Sequence, residues 1–294
     1  MTSIKSGDAG STRLVVCWAL GGLWLLTYLA SLLGGFAVGA AMVAPLILLV
    51  LAIVHCSILY GWRGVVFYLA IAIGAGFVFE ASSIDFGFPF GHYIHTSVGP
   101  KILGVTVPAI FIYAVYAWYA WIIGRAIMLT RPARLTGAGR FVVPIVAAII
   151  LAGFDYPFDP IGSTLHGRWA FVEPGGQFGV PLSNYLGWVF VGWVIFQPLG
   201  FAESRFRAME ASKARRYWLL PCLIWIAIAI QYPIYWASAP SGTTALGHNI
   251  FVIADIYEAS LAGSLFTLVF AGLVGAARLF LDEGVHQYAN RVNA

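Results

Sequence analysis

Asp155 and Asp159 stand four residues apart in the run Asp-Tyr-Pro-Phe-Asp-Pro, between two long apolar stretches, and so share one face of any helix that carries them. Carboxylates at the mouth of membrane helices are costly unless they are paired, hydrated or functional. Two carboxyls of different burial can divide into a protonated acid and an ionised base, because desolvation raises one pKa while hydrogen bonds hold the other down. Glu80, with Asp85 just after it, closes an earlier apolar run, and Asp255 and Glu258 lie three residues apart in the last one. These segments predict that the acids gather in one half of a bundle. Asp155 and Asp159 are the first candidates for a proton donor, with Glu80 as partner, and Asp255 and Glu258 form a second-choice pair beside the substrate.

The same half concentrates Tyr93, Trp169, Tyr185, Trp188, Tyr232, Tyr235, Trp236 and Tyr257. Aromatic faces near acids suit a carbocation, since each ring attracts positive charge by about 0.5–2 kcal/mol. An aromatic belt at headgroup level uses the same residue types.

Other chemistries find less support. His92 and His95 are spaced as metal ligands, but a membrane di-iron enzyme needs dense His clusters and the chain has 6 His in all. The spacing of Asp155 and Asp159 also matches Asp-rich Mg sites, yet a diphosphate there would need basic partners and that face offers chiefly Lys101 and Arg168. No Gly-x-Ser-x-Gly, His-Glu-x-x-His or phosphate loop occurs. No metal site and no cofactor are expected.

The elements that must hold these residues are membrane helices. With 61% hydrophobic and 10% charged residues in 294, the chain is far more apolar than a soluble domain, which carries about 25% charged residues. A span needs about 20 apolar residues, and eight candidates read as 13–33, 37–60, 64–82, 102–129, 141–157, 182–202, 217–238 and 248–280. Lys5, Arg13, Arg63, Arg125, Arg131, Arg134, Arg140, Arg205, Arg207, Lys213, Arg215 and Arg216 then fall on one side, which the positive-inside rule makes cytoplasmic, with both termini. The net charge of +4 therefore marks topology, with anionic lipid headgroups as partners and no nucleic acid. Cys17, Cys56 and Cys222 each sit in a different apolar run and read as small core residues. The first apolar run is too long for a signal peptide and reads as a retained helix in the cell inner membrane.

Only two loops are long, about 81–101 and 155–181, both on the side away from the basic residues. They are rich in Gly, Pro and aromatics and poor in charge, which predicts re-entrant or interfacial segments at the bundle mouth. The fold class expected is an all-α polytopic bundle of about eight transmembrane helices, one membrane domain over 1–294 with motif blocks at 80–108 and 155–188.

Glu80 followed by Gly87-Phe-Pro-Phe-Gly-His-Tyr, then Gly99-Pro-Lys-Ile-Leu-Gly-Val with Pro108, form the first block. Asp155 through Pro160, Gly167-Arg-Trp, Phe178-Gly-Val-Pro and Asn184-Tyr-Leu-Gly-Trp form the second. Together they resemble the carotenoid biosynthesis membrane proteins that include γ-carotene and bisanhydrobacterioruberin hydratases. The resemblance covers roughly residues 60–200 in motifs. His92 stands where a variable polar residue is usual and His95 where an aromatic is usual.

The resemblance implies addition of water across the terminal 1,2 double bond of an acyclic carotenoid end group, giving a tertiary alcohol. Such a hydro-lyase needs a proton donor, a shielded tertiary cation and one placed water, and neither cofactor nor metal. Under that reading Asn184 and Tyr93 are candidates to place the water, and Trp188 and Trp169 to line the cation pocket. The expected partners are a carotenoid or other isoprenoid lipid and membrane lipids, with a homo-oligomer or association with other carotenoid enzymes allowed. Two rivals share the acids. A carotenoid or terpene cyclase would start from the same protonation with water excluded, and a proton-coupled lipid or small-molecule transporter would carry acids within its helices.

Overall fold

In a computed structural model the described residues are 6–34, 39–131 and 134–292. Lys5 and the first two residues of the span expected at 37–60 lie outside the described residues. The helices are α1 (Ser6–Leu32), α2 (Gly39–Phe86), α3 (Val107–Ile127), α4 (Gly139–Asp159), α5 (Leu182–Ala202), α6 (Arg215–Ile228), α7 (Gln231–Ala237), α8 (Ile253–Ser264) and α9 (Phe270–Val292). The strands are short: β1 (Tyr93–His95), β2 (Lys101–Ile102), β3 (Val105–Thr106), β4 (Trp169–Phe171), β5 (Thr243–Leu246) and β6 (Asn249–Val252).

Among the described residues, 7 helical stretches are long and apolar enough to cross a membrane. One of them, Val43–Phe86, has 44 residues, whereas a span needs about 20. Gly61 breaks it with φ 63° and ψ 179°, a backbone that only glycine adopts without strain. Both arms pack on α3. Tyr119 donates to Leu48 O at 2.7 Å on the first arm, and Tyr68 donates to Ala114 O at 2.9 Å on the second. The first arm runs down α3 to Tyr60, which Arg125 meets, and the second returns until Gly76 packs on the Tyr113 ring. α2 is thus a helical hairpin, and the all-α polytopic bundle crosses eight times.

Helix α3, with Trp118, Trp121 and Tyr119 wholly buried, packs against α2, α4, α5, α6 and α9. His55 on α2 ties three helices together there. Its Nδ1 accepts from Trp118 Nε1 at 3.0 Å, so its Nε2 carries the hydrogen and donates to Tyr217 O at 2.9 Å on α6. Cys17, Cys56 and Cys222 are buried and free.

The two long loops cross one end of the bundle and pair with each other. β1 and β4 run antiparallel with Tyr93 opposite Phe171 and His95 opposite Trp169. A further hairpin, β5–β6, takes residues 243–252, so the last span starts at Ile253 and not near 248 as its hydropathy suggested. The reason is local: Gly242 and Gly247 have φ of 128° and 61°, and the β-branched Thr243 and Thr244 on one strand and Ile250 and Val252 on the other favour extended backbone.

Candidate active site

Asp155 and Asp159 lie on one face of α4, where two prolines loosen the helix. Pro157 and Pro160 have no N–H, which removes the helical partners of the Gly153 and Tyr156 carbonyls. The chain widens past Asp159 into a π turn, Pro160–Leu165, where Ser163 Oγ donates to the Asp159 carbonyl at 2.8 Å. Single π turns within helices are frequent at functional sites.

Asn184 comes from the first turn of α5, just after Pro181. Its side-chain amide divides its two hydrogens between the carboxyls, donating to Asp155 Oδ2 at 2.7 Å and to Asp159 Oδ2 at 2.5 Å. All three side chains are buried, so this bridge is shielded from bulk solvent.

Glu80, near the end of the second arm of α2, supplies the third acid. It accepts from the Tyr93 hydroxyl, and His95 Nε2 lies 3.3 Å from the same Oε2. Tyr93 and His95 reach the same group because β1 alternates: these two face inward while Ile94 between them is exposed. Glu80 is close enough to Asp155 and Asp159 to act on both electrostatically, so the three acids form one cluster. Burial, and after it the Glu80 carboxylate, raises the Tyr93 phenol well above its ordinary pKa, so it stays a neutral donor.

Rings close the site. Trp188 stacks on Tyr113 with centroids 4.6 Å apart and is bounded by Phe90 at 6.3 Å and Phe154 at 6.5 Å. Trp169 lies against Phe158 at 6.0 Å and over the π turn at Gly162, where an added Cβ would fall 2.3 Å from a ring carbon. α5 approaches the first loop as closely at Gly187, whose Cβ would meet the Phe90 ring at 2.5 Å.

The structure therefore brings together Asp155, Asp159, Glu80, Tyr93, Asn184 and Trp188, with Trp169 at the rim. It does not bring Asp255 and Glu258 there. Both are exposed on α8, whose buried face carries Ile256, Ser260 and Gly263. With about 100° between successive helical residues, positions 255 and 258 fall on the far side of that face. Asp85 and His92 are exposed as well.

The sequence does not single out two members of the cluster. His95 reads there as spaced for a metal with His92, and the alternation of a short strand is the signal that pairs it with Tyr93 instead. Tyr113 is within electrostatic reach of Glu80, Tyr93, Asp155 and Asp159, and its buried hydroxyl has no hydrogen-bond partner among the described residues. Nothing in the aromatic-rich sequence of α3 singles it out. Among the described residues no group of three or more His, Cys, Asp or Glu side chains is placed to hold a metal ion.

A family model described as carotenoid biosynthesis protein matches residues 37–252, which contain every member of the cluster. No curated protein and no solved structure matches the chain.

Proposed function

The chain belongs to the carotenoid biosynthesis protein family, and from that premise we propose that it adds water to the terminal 1,2 double bond of an acyclic carotenoid end group. The observation that carries this reading is the amide bridge, in which Asn184 holds Asp155 and Asp159 at 2.7 and 2.5 Å in a buried site. Two buried carboxyls held so close share a proton rather than carry two charges. That shared proton adds to the less substituted alkene carbon, and a tertiary cation forms on its neighbour. The faces of Trp188 and Tyr113 stabilise it by about 0.5–2 kcal/mol per ring.

Water then bonds to the cationic carbon through its oxygen and loses a proton to Glu80, whose carboxyl Tyr93 and His95 hold in place. Glu80 passes that proton on to the Asp155 and Asp159 pair, which restores the starting state. The neutral Tyr93 and Tyr113 hydroxyls give a water the polar partners it needs beside an otherwise aromatic wall. General acid and base help of this kind supplies about 10²- to 10⁴-fold in rate. A C40 polyene is about as long as the ~30 Å hydrocarbon core is thick, so it lies along the bundle with one end group at the acid end.

The test is expression in a lycopene-producing host with pigment analysis by mass spectrometry. Hydration gives a product heavier by one water. A ring-closed product of unchanged mass would replace hydration with cyclisation, and unchanged pigment with proton-coupled lipid uptake into vesicles would make the chain a transporter.

A further inference from the structure

A second buried charge cluster lies at the opposite end of the bundle, about 30 Å from Glu80 as measured along the second arm of α2 from Tyr60. Glu203, just beyond α5, is buried and pairs with Arg125 Nη1 at 2.7 Å on α3. Tyr60 donates to the same carboxyl at 3.0 Å, and the Leu135 backbone N–H donates to its other oxygen. The pair forms one wall of a pocket of about 420 Å³ whose rim carries Arg134, Arg205 and Arg207.

The charge balance of this pocket is one-sided. Glu203 is its sole carboxylate and is committed to Arg125, which leaves three rim guanidinium groups. Arg134, Arg205 and Arg207 are exposed, and among the described residues none pairs with a carboxylate. Three like charges around one concavity repel one another, and an anion between them relieves that cost. Guanidinium forks match the oxygens of a phosphate group in planar, bidentate geometry.

We propose that this pocket binds a phosphate group at the basic end of the bundle, the headgroup phosphate of an anionic membrane lipid or a free phosphate or diphosphate. Arg134, Arg205 and Arg207 hold the phosphate oxygens. The Arg125 and Glu203 pair fixes the wall and brings the chain between α3 and α4 against the segment after α5. Occupancy thus ties the α3–α4 connection to the segment after α5 in addition to the contacts that Glu203 makes.

The test uses the full chain, delipidated and returned to nanodiscs of phosphatidylcholine with or without phosphatidylglycerol, or of phosphatidylcholine with inorganic diphosphate in solution. Bound lipid is counted by native mass spectrometry and thermal unfolding is followed in parallel. Arg205→Gln with Arg207→Gln should weaken phosphatidylglycerol retention at least tenfold, while Arg63→Gln, exposed outside the pocket, should leave it unchanged. The charge-conserving Arg205→Lys with Arg207→Lys should restore part of it, which separates loss of the site from loss of the fold. Phosphatidylglycerol binding that millimolar diphosphate does not displace assigns the lipid source. Equal binding of diphosphate in phosphatidylcholine discs assigns the soluble one. No saturable binding of either probe, or the same loss in Arg63→Gln as in the double Gln variant, would overturn the proposal.

Discussion

Asn184 donates from its side-chain amide to Asp155 at 2.7 Å across two helices whose residues are 29 apart in sequence. The bond does more than join α4 to α5. The same amide group reaches Asp159, so one neutral side chain bridges the two carboxyls.

Asn184→Ala leaves both carboxyls without their donor in a buried site. A group left unsatisfied in this way costs about 1–3 kcal/mol, so the variant should unfold at lower temperature and lose hydration by roughly 10²-fold or more, in the range of general acid help. Thermal unfolding and product yield in the same membranes test it. Wild-type yield would mean that the bridge is only structural.

Tyr93→Phe keeps the ring, which lies 5.6 Å from Phe171, and removes the hydroxyl bonded to Glu80. Rate should fall about 10- to 100-fold with the fold intact. The pH dependence has a definite sign. Because burial and Glu80 raise this phenol above its ordinary value of 10.0, the folded chain keeps the proton that the unfolded chain releases. Its stabilising contribution is complete below about pH 10 and fades as pH rises beyond it. Unfolding temperature measured from pH 7 to 11 should therefore fall less steeply at the alkaline end in Tyr93→Phe than in the parent chain.

Trp188→Phe retains an aromatic face against Tyr113 and should lose only part of the rate. Trp188→Ala should lose more, since it gives up a cation–π contribution of about 0.5–2 kcal/mol and opens a cavity that costs about 3–5 kcal/mol in stability. Equal activity of the two variants would remove this ring from the cation pocket.

The topology is open to labelling without prior removal of native thiols, because Cys17, Cys56 and Cys222 are all buried. A cysteine at Glu173, in the loop at the acid end, should react with an impermeant maleimide in intact cells. One at Glu210, at the basic end, should react only after permeabilisation. The reverse pattern would invert the bundle.

How much was legible in the sequence varies with the kind of signal. Hydropathy and charge alternation give the eight crossings, and they separate the two arms of α2 that run on past Gly61. Asp155 and Asp159 share a helix face by spacing alone. Asp255 and Glu258 share a face by the same rule but point outward, because spacing says which residues are neighbours and not which way their helix is turned. Tyr93 and His95 share a face by the local alternation of β1, but the pairing of β1 with β4, between loops about 76 residues apart in register, is a contact that no local pattern encodes. The second strand of the 243–252 hairpin was hidden because Ile250, Phe251 and Val252 read as the start of the last apolar run.

The most direct test of the central claim is the mass spectrum of pigments from a lycopene-producing host carrying Asp155→Asn or Asp159→Asn, each expressed at the level of the parent chain. Asparagine preserves shape and removes the shared proton. The account predicts that the product heavier by one water disappears in both variants while the unhydrated precursor accumulates. Hydration at the parent rate in both variants would contradict it.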